Sequence, residues 1–146
     1  MKRLTAVFSI LALTVSAASA DAIADRKALM KERGGIVGGL SKVAKGETPF
    51  DAAAVLAQLQ ALAANAETGD KVDVLWAAGT ETGGDTTSSP KIWEDMAGFK
   101  AAADKYKADV DAAVAAPPAD VAAVGAALQA IGANCGACHG AYRIKK

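Results

Sequence analysis

The stretch D-V-A-A-V-G-A-A-L-Q-A-I-G-A-N-C-G-A-C-H-G-A-Y, residues 120–142, decides the fold of this chain. Its larger side chains recur at intervals of three or four residues, and such intervals place side chains on one face of an α-helix. The stretch therefore predicts a helix that begins near Ala119 or Asp120. The residues on this continuous apolar face are Val121, Val124, Leu128, Ile131, Cys135, Cys138 and Tyr142.

The same spacing predicts three further helices upstream, over residues 22–45, 51–66 and from residue 90 to about 114. Turn-rich segments separate them at residues 46–50, 77–90 and 115–118, and the second of these is dense in Gly, Thr and Ser. Either Thr48 or Asp51 can cap the second helix. Amphipathic helices joined by short breaks and one long connection predict an all-α fold, an antiparallel up-down-up-down four-helix bundle.

Residues 1–20 form a segment of different character. Lys2 and Arg3 precede an apolar run over residues 4–15, and A-S-A at residues 18–20 follows it. This layout is typical of a secretory signal peptide cleaved after Ala20, and the run is short for a membrane span. We therefore predict a protein that is exported to an oxidising compartment and whose single domain is residues 21–146.

The charge balance excludes several classes of partner. The chain has 16 basic and 16 acidic residues, and loss of Lys2 and Arg3 leaves 14 against 16, a formal charge near −2. That balance gives no basic footprint for nucleic acid or acidic lipid. No segment after the signal peptide approaches a transmembrane length, so we expect no membrane span in the mature chain.

The last predicted helix ends in C-G-A-C-H, residues 135–139, which holds both cysteines and the only histidine. A disulfide would be strained at this spacing, a thioredoxin-like pair should open a helix after a strand, and zinc would lack a fourth ligand. The remaining interpretation is covalent haem attachment, for which C-x-x-C-H is the signature. Cys135 and Cys138 then bind haem c as thioethers, and His139 is the proximal iron ligand.

Few residues can occupy the other side of the iron. No second histidine exists, and only Met30 and Met96 remain after the signal peptide. The sixth position is therefore Met30, Met96, an exogenous ligand or vacant. Met96 lies between Trp93 and Phe99 on an apolar face, which is typical of core packing. In an up-down-up-down bundle the start of the first helix and the end of the fourth share one end, so Met30 can approach the haem motif.

The first predicted helix also contains G-G-I-V-G-G, residues 34–39. Each interior glycine costs up to about 1 kcal/mol relative to alanine. Close approach of the haem, or of a second subunit's helix, would offset that cost, and both explanations stay open.

The chain resembles the class II c-type cytochromes, the four-helix-bundle family that includes cytochrome c-prime. The resemblance spans essentially the whole mature chain and implies a single haem c. It rests on R-K-A-L-M (26–30), A-K-G-E-T-P-F-D-A (44–52), G-T-E-T-G-G-D (79–85), S-P-K-I-W (89–93) and C-G-A-C-H-G-A-Y-R (135–143).

The resemblance also implies roles for residues at the edge of the haem. Met30 falls on the distal position of the first helix, and Arg26 matches a basic residue that contacts the haem propionates. Arg143 matches a basic residue beside the proximal histidine. Thr80 and Glu81 belong to a loop that resembles the segment along the haem edge.

The family divides at the distal position, which leaves two functions open. Low-spin relatives use a methionine there as sixth ligand and carry electrons. Cytochromes c-prime proper are five-coordinate and high-spin, and bind nitric oxide or carbon monoxide. Met30 is compatible with both, because some five-coordinate members also have a methionine at this position.

We favour a non-enzymatic electron carrier with His139/Met30 ligation that serves redox partner proteins in the periplasm. The alternative is a gas-binding cytochrome with an open distal site. Family members are often homodimers, which the glycines of the first helix permit.

Overall fold

The computed structural model describes the backbone of residues 11–145 and the side chains of residues 22–145. Within that part of the chain the secondary structure is helical, apart from an isolated bridge between Ser88 and Arg143. The helices are α1 (Leu11–Ala44), α2 (Ala52–Gly69), α3 (Val72–Leu75), α4 (Lys91–Glu94), α5 (Met96–Ala115) and α6 (Val121–Tyr142). The predicted all-α class is confirmed.

The four long helices form the predicted antiparallel bundle. α1 packs against α2 and α6, and α5 packs against the same two helices, so α1 and α5 lie on one diagonal of the bundle. The one-turn helices α3 and α4 flank the long connection between α2 and α5. α3 packs against α1, and α4 packs against α5 and α6.

Aspartate side chains cap two of the long helices. The Asp51 carboxylate accepts a hydrogen bond of 2.7 Å from the Ala54 N–H at the start of α2. The Asp120 carboxylate accepts one of 2.8 Å from the Ala123 N–H at the start of α6. Each bond satisfies an N–H group that has no partner within its helix. Of the two proposed caps for the second helix, Asp51 is therefore the one used.

The predicted third helix is divided in the structure. α4 ends at Glu94 and α5 begins at Met96, because Asp95 leaves the helical region with φ −134° and ψ 56°. Its carboxylate then caps α5 by accepting a hydrogen bond of 3.1 Å from the Gly98 N–H. The prediction of one continuous helix from residue 90 is wrong at this point.

α1 begins at Leu11, whereas the sequence pattern predicted a start near residue 22. The additional turns belong to the segment that we predict to be a signal peptide. Residues 1–10 of that segment lie outside the described residues, and cleavage after Ala20 stays a prediction.

α6 is the one helix within the described residues that is long and apolar enough to cross a membrane by length and composition. The expectation that no later segment approaches transmembrane length was therefore too strong. In the structure α6 packs along α1 and α5 as one of the bundle helices. Its predicted apolar face is only partly buried: Val124 and Ile131 are inside, Cys135 and Cys138 are half-buried, and Val121 is exposed.

The glycines of residues 34–39 differ in their surroundings. A Cβ atom at Gly39 would lie 2.5 Å from Oε1 of Gln58 on α2, so a larger residue there would require the flexible Gln58 side chain to move. Gly34, Gly35 and Gly38 have no neighbouring atom within 4 Å of a Cβ position among the described residues. Only Gly39 among these four glycines therefore has a close neighbour among the described residues.

The core consists of two clusters of buried side chains. The larger cluster lies between all four long helices and includes Leu40, Leu59, Leu62, Val110 and Ile131. The smaller cluster lies at the end of the bundle where α5 begins and α6 ends. It contains Leu29, Val72, Leu75, Trp76, Ile92 and Phe99, with Met30, Trp93, Met96, Ala103, Cys138 and Tyr142 packed against it.

Candidate cofactor site

A cavity of about 490 Å³ opens beside the smaller cluster, between the first half of α1, the start of α5 and the end of α6. This volume lies within the range of about 300–1,000 Å³ that is typical of cofactor and ligand sites. Its wall is largely apolar, with contributions from Ile23, Trp76, Ile92, Phe99 and Ala103.

Most of the residues singled out in the sequence line this cavity. Helical geometry explains the grouping, since residues three or four apart lie on one helix face. Met30 therefore follows Arg26 on α1, and Cys138 follows Cys135 on α6. Thr80, Glu81 and Met96 are not among the lining residues. Those that line the cavity are Arg26, Met30, Cys135, Cys138, His139 and Arg143.

Cys135 and Cys138 are free and half-buried on the cavity wall. The Cys135 thiol points toward the Ile131 carbonyl oxygen, with Sγ and O 3.7 Å apart. Burial raises the pKa of the Cys138 thiol, and the positive charge of Arg33 opposes that shift. Cys138 is therefore a neutral thiol at neutral pH, and neither sulfur is engaged in a disulfide.

His139 lies at the rim of the cavity, one residue beyond Cys138. Partial loss of water lowers its pKa from the ordinary 6.5, and the positive charges of Arg143 and Arg33 lower it further. The imidazole is therefore neutral at neutral pH. The neutral ring is the form that can bind a metal ion through nitrogen.

Arg26 is 4% exposed and forms the most buried charge at the site. Its Nη2 donates a hydrogen bond of 2.8 Å to the Thr80 carbonyl oxygen, and its guanidinium lies 5.6 Å from the Trp76 ring centroid and 5.8 Å from that of Trp93. Burial lowers the pKa of Arg26 while Glu81 raises it, and the group remains charged. Its Nε has no hydrogen-bond partner in the described structure, so one donor is available to a ligand.

Thr80 and Glu81 lie behind Arg26. The Thr80 hydroxyl donates a hydrogen bond of 2.8 Å to the Ala77 carbonyl oxygen, and the Glu81 carboxylate accepts one of 3.0 Å from the Gly79 N–H. These contacts stabilise the loop that receives Arg26. The structure therefore does not place the two residues on the cavity wall, and they reach the site through Arg26.

The cavity wall also carries a second polar cluster, which the sequence pattern did not predict. Arg33 lies one helical turn beyond Met30, and its Nε donates a hydrogen bond of 2.9 Å to Oδ1 of Asn65 on α2. Its guanidinium lies 4.2 Å from the ring centroid of Tyr106 on α5. The buried Tyr106 hydroxyl has no partner, and burial raises its pKa to about 12. The spacing of three residues from Met30 was a signal for Arg33, whereas no local sequence pattern indicated Tyr106.

The residues present fit haem c. A flat apolar group with an anionic edge needs an apolar wall and nearby cations, which the aromatic side chains, Arg26 and Arg33 provide. Two free thiols one helical turn apart, a neutral imidazole and a thioether sulfur complete the set of donors. Within the described residues, no three His, Cys, Asp or Glu side chains group as ligands of a bare metal ion.

Comparison with known proteins shows which family the chain resembles. Residues 21–143 match the family described as Cytochrome C'. The chain is 40% identical over 129 residues to cytochrome c-556 of Agrobacterium fabrum, which covers 88% of this chain and 84% of that protein. The structure is similar to that of cytochrome c' from Rhodopseudomonas palustris, with a TM-score of 0.78 and 37% identity, covering 86% of this chain and 98% of that one.

A third similarity concerns a structure with a bound gas. It is a nitric oxide complex of a cytochrome c prime variant from Alcaligenes xylosoxidans, with a TM-score of 0.77 and 31% identity. The match covers 87% of this chain and 97% of that one.

Proposed function

Because the chain belongs to the cytochrome c-prime family of class II c-type cytochromes and binds haem c, we propose that it is a periplasmic electron carrier with His139 and Met30 as axial ligands. The observation that supports this most is the position of Met30. Met30 and Met96 both pack against the smaller core cluster, but only Met30 lines the cavity together with Cys135, Cys138 and His139.

Each residue on the wall has a distinct part in this proposal. Bound haem supplies the one-electron couple between ferric and ferrous iron. Cys135 and Cys138 would hold it through thioether bonds, and His139 would bind the iron as a neutral imidazole. Met30 would provide the sixth ligand, since a thioether stabilises the reduced state and raises the potential.

The charged residues have a supporting part. Arg26 would donate a hydrogen bond to a haem propionate through its available Nε, while its Nη2 donates to the Thr80 carbonyl oxygen. Arg143 contributes a positive charge that keeps His139 neutral. The apolar wall excludes water, so the site would change little in solvation when an electron is gained or lost.

A second candidate function follows from the nitric oxide complex of the Alcaligenes relative. If Met30 only packs against the haem, the iron would be five-coordinate and its distal side would face the apolar part of the cavity. Such a site would bind nitric oxide or carbon monoxide.

Absorption spectra of both redox states, with and without carbon monoxide, distinguish the two candidates. We expect a low-spin spectrum with a thioether-to-iron charge-transfer band that carbon monoxide leaves unchanged. A high-spin ferric form that binds carbon monoxide once reduced would contradict the carrier proposal.

Replacement of Met30 tests the ligand itself. We expect Met30→Ala to lose the charge-transfer band, become high-spin and bind carbon monoxide after reduction. Met96→Ala is the matched control, because Met96 packs nearby without lining the cavity, and it should keep the low-spin spectrum. An unchanged spectrum in Met30→Ala would show that Met30 is only a packing residue.

A further inference from the structure

The charge of the cavity is opposite in sign to that of the whole mature chain. Five basic side chains line it, Arg26, Lys27, Lys31, Arg33 and Arg143, and no described Asp or Glu does so. The predicted mature chain has 14 basic and 16 acidic residues, a formal charge near −2. The local field at the cavity is therefore positive on a molecule with a small negative charge.

These five cations fall into two groups. Arg26 is buried and bonded to Thr80, and Arg33 is bonded to Asn65 and stacked on Tyr106, so both are fixed inside. Lys27, Lys31 and Arg143 are exposed at the edge of the cavity. We call these three residues the basic rim.

The basic rim is not neutralised by neighbouring carboxylates in the described structure. Lys27 donates a hydrogen bond of 3.3 Å to the Gly84 carbonyl oxygen, and no described ion pair includes a rim residue. By contrast, three lysines of α5 are all paired with acidic side chains, namely Lys100, Lys105 and Lys107. Three acidic groups near lining residues are engaged elsewhere: Glu32 accepts a hydrogen bond from Asn65, Glu81 from the Gly79 N–H and Asp95 from the Tyr142 hydroxyl.

Bound haem would not cancel this field. Its pair of propionate carboxylates can be matched by the buried Arg26 and the half-buried Arg33, which leaves the exposed rim unpaired. Charges within about 10 Å of an approaching molecule act on it at an ionic strength of 0.1 M. A redox partner must come close to the cavity to exchange an electron, so it would meet the basic rim first.

We propose that Lys27, Lys31 and Arg143 form the docking surface for a redox partner protein that presents an acidic patch. This proposal rests on the electron-carrier function proposed above. Electrostatic complementarity of this kind mainly accelerates association and fixes orientation, and salt weakens it.

Small redox reagents of opposite charge test the sign of the docking surface. In each reaction one electron leaves the reduced holoprotein, and ferricyanide becomes ferrocyanide or tris(phenanthroline)cobalt(III) becomes the cobalt(II) complex. We expect the rate with anionic ferricyanide to fall as ionic strength rises and the rate with the cobalt cation to increase. The opposite pair of trends would mean that net charge controls encounter, and it would overturn the proposal.

A charge reversal at the rim gives the residue-specific test. We expect the double variant Lys27→Glu/Lys31→Glu to react with ferricyanide at least about tenfold more slowly at low ionic strength. The control Lys42→Glu/Lys45→Glu makes the same charge change on exposed residues toward the other end of α1, roughly 16–27 Å away by helical rise. It should change the rate less than twofold, and an equal effect of both variants would refute the role of the rim.

An acidic polypeptide tests the class of partner. Poly-L-glutamate should compete with ferricyanide and slow oxidation of the natural protein at low salt, without slowing that of Lys27→Glu/Lys31→Glu. Equal inhibition of both proteins, or of neither, would count against a docking site for acidic protein surfaces. The absorption spectrum of each variant is recorded in parallel, so that a failure of Met30 ligation is distinguished from a failure of docking.

Discussion

The spacing of Cys135 and Cys138 determines where their two thiols lie. Three residues on an α-helix are slightly less than one turn, so the two thiols share the face of α6 that borders the cavity. Both are free and half-buried, and burial keeps Cys138 protonated. The adjacent His139 then lies at the rim of the same cavity.

Cysteine variants test the covalent attachment. We expect Cys135→Ser and Cys138→Ser each to retain haem through one remaining thioether, and the double variant to release all its haem into acidified acetone. Intact-protein mass spectrometry counts the bound haem in each case. Tyr142→Phe, a cavity-lining change outside the motif, should keep both bonds. Covalent haem in the double variant would contradict the assignment.

The Asp95 residue links three helices, α4, α5 and α6. It separates α4 from α5 and caps α5 through the Gly98 N–H. The hydroxyl of Tyr142, the last residue of α6, donates a hydrogen bond of 2.9 Å to the same carboxylate. One side chain therefore fixes where α5 begins and how the end of α6 packs against it.

The Asp95 contacts predict a specific pH dependence. The Tyr142 hydroxyl and the Gly98 N–H lower the pKa of Asp95 below its ordinary 3.8. A carboxyl with a lowered folded pKa stabilises the fold above its ordinary value, and that stabilisation is lost as the pH falls through the folded value. Asp95→Asn keeps a capping side chain but removes the charge. Its deficit in melting temperature should therefore be largest near neutral pH and shrink below 3.8.

Thermal unfolding of the natural protein and the variant from neutral to acidic pH measures this deficit. Asp51→Asn is the matched control, because Asp51 caps α2 with a single described hydrogen bond and has no tyrosine partner. A deficit in Asp95→Asn that does not change with pH, or that equals the deficit in Asp51→Asn, would contradict the assigned role.

In the molecule as a whole, the two core clusters have different roles in the fold and in the cavity. The larger cluster holds the four long helices together, and Leu62 within it is 0% exposed. The smaller cluster includes Phe99, which forms edge-on contacts to Trp76 and Tyr142 with ring centroids 4.8 Å and 5.2 Å apart. Phe99 also lines the cavity, so this cluster supports both the fold and the cofactor site.

This division predicts different effects of two core substitutions. Leu62→Ala should lower the free energy of unfolding by about 2–5 kcal/mol and leave the haem absorption spectrum unchanged. Phe99→Ala should lower the free energy of unfolding by roughly 3–5 kcal/mol. It should also shift the haem absorption spectrum, because removal of the ring enlarges the cavity. Denaturant unfolding and absorption spectra of both variants make the comparison. A spectral change in Leu62→Ala would show that the clusters are coupled.

The bundle could be predicted from the sequence because every long helix has a periodic apolar face and visible breaks. The division at Asp95 could not, since an aspartate within a helical pattern looks the same whether it faces solvent or caps a new helix. The described part of α1 also extends upstream of the predicted start near residue 22, because the pattern was cut at the predicted cleavage site after Ala20.

The candidate site was predictable to a similar degree. Cys135, Cys138 and His139 are adjacent in sequence, and Met30 followed from the scarcity of methionine together with the bundle topology. The cluster of Arg33, Asn65 and Tyr106 brings together α1, α2 and α5, and contacts between helices leave no local pattern in the sequence. The indirect placement of Thr80 and Glu81 behind Arg26 depends on such a contact as well.

The most direct test of His139/Met30 ligation is the NMR spectrum of reduced holoprotein labelled with carbon-13 at the methionine methyl groups. Of the three methionines, Met1 lies in the predicted signal peptide, so signals from Met30 and Met96 are expected. We expect one methyl signal that is shifted far upfield by the haem ring current, lost in Met30→Leu and retained in Met96→Leu. Two methyl signals at ordinary positions, or a paramagnetic high-spin spectrum, would contradict it.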